Sequence, residues 1–202
     1  KLNPLFLVIA IYCTIVATQW PVILNIWQYS FDDGTYSHAY LIPIISLYLY
    51  YILSSEDQLV LRNKVSLWPL LLTLLSCYLL VVFSLAQFPL GYRLAVVLVA
   101  CCATLLVFEF HPRVIFPALF LIFLLPIWGI LTTHLQELST YAVTHFMNLT
   151  NIPIFVEGNM ITIPSGVFEI AGGCSGLRYL IVSLAISSLY IFLYINNIKN
   201  GV

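Results

Sequence analysis

Long apolar runs broken by short polar stretches set the pattern of the first 130 residues, and a spanning helix needs roughly 20 mostly apolar residues. The first run, Leu5 to about Ile26, ends in an aromatic and proline cluster, Trp20-Pro21 and Trp27. Its apolar core is too long for a signal peptide and no A-x-A site follows, so it predicts an anchor that stays. A polar turn, Asp32 to His38, leads to a second run from Ala39 to Leu53. That run is short for a crossing and must take Tyr36, Ser37 and His38 into its first turn. A polar connection, Ser54 to Ser66, precedes the third span, Leu67 to Gln87, and a tight Phe88–Gly91 turn. The fourth span runs from about Tyr92 to Phe108, with Arg93 near its head and expected to snorkel to the interface. After the Glu109–Arg113 turn, the fifth covers Val114 to Leu131, where Pro117 and Pro126 are expected to kink the helix.

From Thr132 the periodicity changes. Thr132 to Leu149 interleaves polar residues with Leu135, Leu138, Tyr141, Phe146 and Met147, which predicts an amphipathic helix lying at the membrane interface. Ile154-Phe155-Val156 and Met160–Ile163 flank a Gly158-Asn159 pair, a hairpin signal. Pro164-Ser165-Gly166 makes a second turn, and Val167–Ile170 leads into Gly172 and Gly173. The sixth span runs from Gly176 to about Ile195. The fold class expected is therefore an all-α polytopic membrane protein with about six spans, plus an amphipathic helix and a short β-hairpin region at 132–175 before the last span. The whole of 1–202 reads as a single membrane-embedded domain.

Composition agrees. The chain is 62% hydrophobic and 7% charged, with a mean hydropathy of +1.04, against roughly 25% charged residues in soluble domains. A net charge of −1 without a basic stripe argues against nucleic-acid binding; the bilayer is the partner that composition implies. Alternation of six spans puts Lys1, Arg62, Lys64, Arg113 and Lys199 on one side, and leaves Arg93 and Arg178 on the other, at helix heads. The positive-inside rule makes the first side cytoplasmic. His38 and the 132–175 region then share the outer face.

Candidate chemistry is confined to a few positions. Cys13, Cys77, Cys101 and Cys102 lie inside apolar runs, where cysteine behaves as a small hydrophobe. No CxxC or Cys/His ligand spacing appears, and no cofactor or metal is expected. His134 and His145, with Glu137 nearby, lack the H-E-x-x-H pattern and read as interfacial polar residues. Cys174 alone stands at a run's edge, in Gly172-Gly173-Cys174-Ser175-Gly176-Leu177-Arg178. The thiolate is the nucleophilic form of cysteine. A helix N-terminus stabilises an anion, Arg178 four residues on can place its guanidinium on the same helical face as Cys174, and N–H groups around Ser175-Gly176 could serve a developing oxyanion. A nucleophile also needs a base or positioned cation, and His38 is the outer-face histidine at a span edge. The opposing reading takes Gly172 and Gly176 as a small-xxx-small packing pattern, Cys174 as filler and Arg178 as an interfacial anchor.

Ala171–Leu180 resembles the cysteine motif of the exosortase/archaeosortase family of membrane transpeptidases, and Ser37-His38-Ala39-Tyr40-Leu41-Ile42-Pro43 resembles its Ser-His-Gly-Phe-Leu-Val-Pro element, with Ala39 where glycine is usual. The resemblance covers nearly the whole chain. It implies a cysteine transpeptidase of the bacterial inner membrane, active on the periplasmic face, whose substrates are envelope proteins with a C-terminal sorting tail: a Pro-Glu-Pro type signal, one span and a basic cluster. Exopolysaccharide export is a process to which such sorting is coupled. Cys174 maps onto the nucleophile and Arg178 onto the motif's arginine; His38 completes the candidate catalytic set. Family members typically have about eight spans, with a further arginine and histidine beyond the sixth, so the chain reads as cut short at Val202. Two other functions compete: a thiol protease with water as acceptor, and a non-enzymatic scaffold or transporter subunit. Oligomeric state is not legible.

Overall fold

A computed structural model describes residues 4–32, 36–64, 66–150 and 152–195. Lys1, Asp33, Lys199 and the end at Val202 lie outside the described residues. The eight helices named here are α1 (Pro4–Thr18), α2 (Trp20–Asp32), α3 (Leu41–Ser55), α4 (Leu67–Leu85), α5 (Pro89–Val107), α6 (Pro112–Phe120), α7 (Thr132–Asn148) and α8 (Leu177–Tyr190). A 3₁₀ turn, Ser37–Tyr40, leads directly into α3 and takes His38 into the start of that span as expected. Among the described residues, four helical segments are long and apolar enough to cross a membrane: Ser37–Ser55, Leu67–Leu85, Pro89–Val107 and Gly172–Tyr194. Two interrupted pairs bring the number to as many as six. The chain is an all-α polytopic membrane protein with one small sheet.

The first anchor is not the straight span expected. The axes of α1 and α2 differ by 87°. Pro21, one residue into α2, brings no N–H for the Ala17 carbonyl, and its ring crowds that oxygen. Just before the bend the Thr14 and Thr18 hydroxyls donate to the carbonyls of Ala10 and Thr14, at 2.7 and 2.8 Å. Such back-bonding loosens the ladder and favours bending.

The chain divides into two compact units, Lys1–Pro126 with Ala185–Val202, and Ile127–Leu184. In the first, α3 is the axis, with Leu49, Tyr50 and Leu53 fully buried. The Ser46 hydroxyl donates to the Pro117 carbonyl at 2.7 Å, which leaves its lone pairs for the Tyr12 hydroxyl 3.0 Å away. The α6 helix and the 3₁₀ turn that extends it, Leu121–Leu124, run antiparallel along α3. Three contacts fix this: Arg113 Nη1 lies 3.6 Å from Glu56 Oε2, Ser46 meets Pro117, and His38 meets Phe123. Pro117 is accommodated inside α6, whereas the helix ends before Pro126. The fifth span is thus broken at the second proline. Further along the unit, Phe192 stacks on Phe116 at 4.7 Å between centroids and lies under the Arg113 guanidinium at 5.2 Å. Glu56, Arg62, Phe108, Arg113 and Phe192 therefore share one end of this unit.

Two local expectations change. Phe88–Gly91 is not a free turn, because Pro89 opens α5 and the connection contracts to Ala86–Phe88. Gly91 then sits inside the helix where a Cβ would come within 2.5 Å of the Phe88 ring and 2.7 Å of the Phe83 ring. Arg93 does not snorkel: it is 7% exposed, and its Nη2 donates to Asn25 Oδ1 at 2.9 Å and its Nη1 to the Pro126 carbonyl at 3.3 Å. The Tyr92 hydroxyl donates to the same Asn25 oxygen at 3.0 Å. A polar partner inside the first apolar run thus lets the guanidinium stay inside.

The second unit holds α7 and a three-stranded antiparallel sheet, β1 (Phe155–Glu157), β2 (Met160–Ile163) and β3 (Gly166–Glu169), in the order β1-β2-β3. The predicted Gly158-Asn159 turn joins β1 to β2, with Glu157 opposite Met160, and Ile163 faces Gly166 across the second turn. Leu138, Tyr141 and Phe146 of α7 are all more than 60% exposed.

Candidate active site

β3 runs through Ile170 and Ala171 into a single 3₁₀ turn, Gly172–Ser175, and α8 begins at Leu177. Several bonds hold this junction. The Cys174 N–H donates to the Ala171 carbonyl at 2.9 Å, and Gln136 of α7 donates from Nε2 to the Ile170 carbonyl at 2.9 Å. Ser175 is buried, and its hydroxyl oxygen accepts from the Leu177 N–H at 3.4 Å. The carbonyl of Gly176 takes the Leu180 N–H at 3.1 Å, which opens the α8 ladder.

Gly176 separates turn from helix with φ +78° and ψ 4°, a left-handed conformation that costs other L-residues about 1–2 kcal/mol. This corrects the expectation that Cys174 and Arg178 share one helical face: the cysteine stands on the turn, before the left-handed residue, and only the arginine is on α8. The glycines do not fit a packing stripe either. Among the described residues, a Cβ on Gly173 or Gly176 would meet nothing within 4 Å, and one on Gly172 would reach only the Thr132 methyl at 3.5 Å. Cys174 is exposed, and so is Arg178. Among the described residues, neither the thiol nor the guanidinium has a hydrogen-bond or ion-pair partner.

His38 belongs to the first unit. Its ring is half-buried on the Ser37–Tyr40 turn, with Nε2 3.2 Å from the Phe123 carbonyl and the Tyr36 ring 6.3 Å away. A carbonyl only accepts, so Nε2 carries the proton and Nδ1 is the basic nitrogen. The remaining histidines of interest stay on the surface of α7. His134 Nδ1 is 3.8 Å from Glu137 Oε2 with both side chains more than 60% exposed, and His145 stacks on Tyr141. Among the described residues, no group of three or more His, Cys, Asp or Glu could hold a metal ion.

Sequence reasoning missed Gln136, which ties α7 to the strand feeding the cysteine. Nothing in its spacing marks it out, because its partner is a backbone carbonyl 34 residues away.

A family model described as transmembrane exosortase matches residues 27–201, through both the His38 turn and the Cys174 turn. The chain belongs to the transmembrane exosortase family. No match was found among curated proteins or among solved structures. Membership and the apolar helices together make it a multi-pass membrane protein.

Proposed function

We propose that this exosortase-family protein is a cysteine transpeptidase that cleaves the C-terminal sorting tail, of Pro-Glu-Pro type, of envelope proteins at the periplasmic face of the bacterial inner membrane. The observation that carries this reading is the exposure of Cys174 on a tethered turn whose neighbouring glycines, Gly173 and Gly176, pack against nothing among the described residues. A small-residue scaffold would place those glycines against another helix. The charge asymmetry of the connections, and the gathering of Glu56, Arg62 and Arg113 at one end of the first unit, support an alternation that leaves the cysteine outside.

In this mechanism the Cys174 sulfur adds to the peptide carbonyl, with N–H groups around Ser175-Gly176 as oxyanion donors. The amide C–N bond breaks, and the leaving amine takes the proton given up by the thiol. An acceptor nucleophile then attacks the thioester; the C–S bond breaks, and the acceptor's proton returns to sulfur. Arg178, at the start of α8, is the candidate cation for the oxyanion. His38 is the candidate for carrying the proton.

The test is processing of a tailed envelope protein by cells making the full-length protein with Cys174→Ala. Loss of processing at unchanged membrane abundance, together with loss of a hydroxylamine-sensitive substrate adduct, is expected. Continued processing by the alanine variant would refute the assignment.

A further inference from the structure

The strand that delivers the chain to Cys174 is an open sheet edge. Among the described residues, β3 pairs with β2 alone. The Ile170 N–H donates to the Asn159 carbonyl at 2.9 Å, and the register pairs Ile161 with Phe168 and Ile163 with Gly166. Hydrogen-bonded pairs recur every second residue in an antiparallel ladder. Gly166, Phe168 and the Ile170 N–H therefore turn toward β2, while the Ile170 carbonyl takes Gln136 of α7, and Val167 and Glu169 turn their backbone groups to the open side. Among the described residues, no side chain or backbone group from outside the sheet bonds to either. Val167 and Phe168 are 62% and 55% exposed, so the strand is not covered.

Unpaired backbone groups cannot be left facing hydrocarbon, so this edge faces water or a partner strand. Natural sheets blunt such edges with proline or lysine. Pro164 lies two residues ahead of β3, as Pro153 does ahead of β1, but β3 itself, Gly166–Glu169, holds neither proline nor lysine.

Resting on the transpeptidase reading above, we propose that β3 is the substrate-docking strand: the acyl half of the substrate peptide adds to it as a fourth, parallel strand, pairing with the outward N–H and C=O groups of Val167 and Glu169. Parallel addition sends the carboxyl end of the peptide past Glu169, in the direction in which the chain itself continues to Cys174. The acyl half is the part to hold, because it must remain after the tail has left and until the acceptor arrives. Main-chain pairing supplies affinity, and the side chains that alternate along the peptide supply selectivity.

The probes are two chloromethyl ketones with the same alanyl end: acetyl-alanyl, and a hexapeptide of alternating Thr and Val before that alanine. Each alkylates the thiol by forming a C–S bond as chloride leaves and the thiol proton passes to buffer. On the full-length protein in membranes, the hexapeptide should label Cys174 about tenfold faster or more, as two added backbone hydrogen bonds allow. Glu169→Ala, which keeps the N–H, and Val156→Pro on the opposite edge should retain that advantage. Glu169→Pro and Val167→Pro, which remove outward N–H groups and leave the β2 ladder alone, should abolish it without slowing the acetyl-alanyl probe. Methylating alternate amides of the hexapeptide tests the same bonds on the unaltered protein, so a proline variant that misfolds does not matter. A hexapeptide with no advantage, or one whose advantage survives methylation in both alternate sets, overturns strand docking. Neither result touches the role of Cys174, which stands or falls with the alanine variant's processing.

Discussion

Gly173 and Gly176 flank the same cysteine for different physical reasons, and substitution separates them. Gly176→Ala forces a Cβ into a left-handed residue and should cost about 1–2 kcal/mol, read as a lower unfolding midpoint in detergent. Gly173→Ala meets open space and should leave the midpoint unchanged; any loss of processing it causes then reports crowding of the peptide at the thiol. Arg93→Met should destabilise by about 1–2 kcal/mol, because the half-buried Asn25 Oδ1 loses its charge-assisted donor and keeps only the Tyr92 hydroxyl. The cysteine was legible from residue order alone, since it is the one thiol outside an apolar run. Arg93 was misread because hydropathy sees a cation at a helix head and is blind to an asparagine 68 positions away.

Among the elements, apolar periodicity located the unbroken helices well and the bends poorly. The third and fourth spans are unbroken helices near their predicted bounds, and the Gly158-Asn159 pair forms the turn of the hairpin it signals. The 87° break after Thr18 was not legible, because the run is apolar on both sides of it and only Pro21 hints at a boundary. Replacing that proline restores the missing donor. Pro21→Ala should therefore straighten the first anchor, seen as a longer distance between spin labels at positions 6 and 28 by double electron–electron resonance. An unchanged distance would mean that packing, not the proline, holds the bend. The i, i+4 relation drawn between Cys174 and Arg178 failed for a similar reason: a left-handed glycine resets the helix phase, and sequence spacing cannot show it.

At the scale of the whole molecule, membership of the exosortase family and the multi-pass architecture stand on the family match and the apolar helices. The chemistry proposed for the chain stands on where its sulfur lies. Cys13 and Cys77 are also exposed, on apolar helices, so the decisive experiment uses full-length protein in which Cys174 is the sole cysteine. Sealed vesicles with the periplasmic face outward are treated with a membrane-impermeant maleimide. The account predicts complete labelling of Cys174 from that face. Labelling only after inversion of the vesicles, or none until detergent is added, would contradict it.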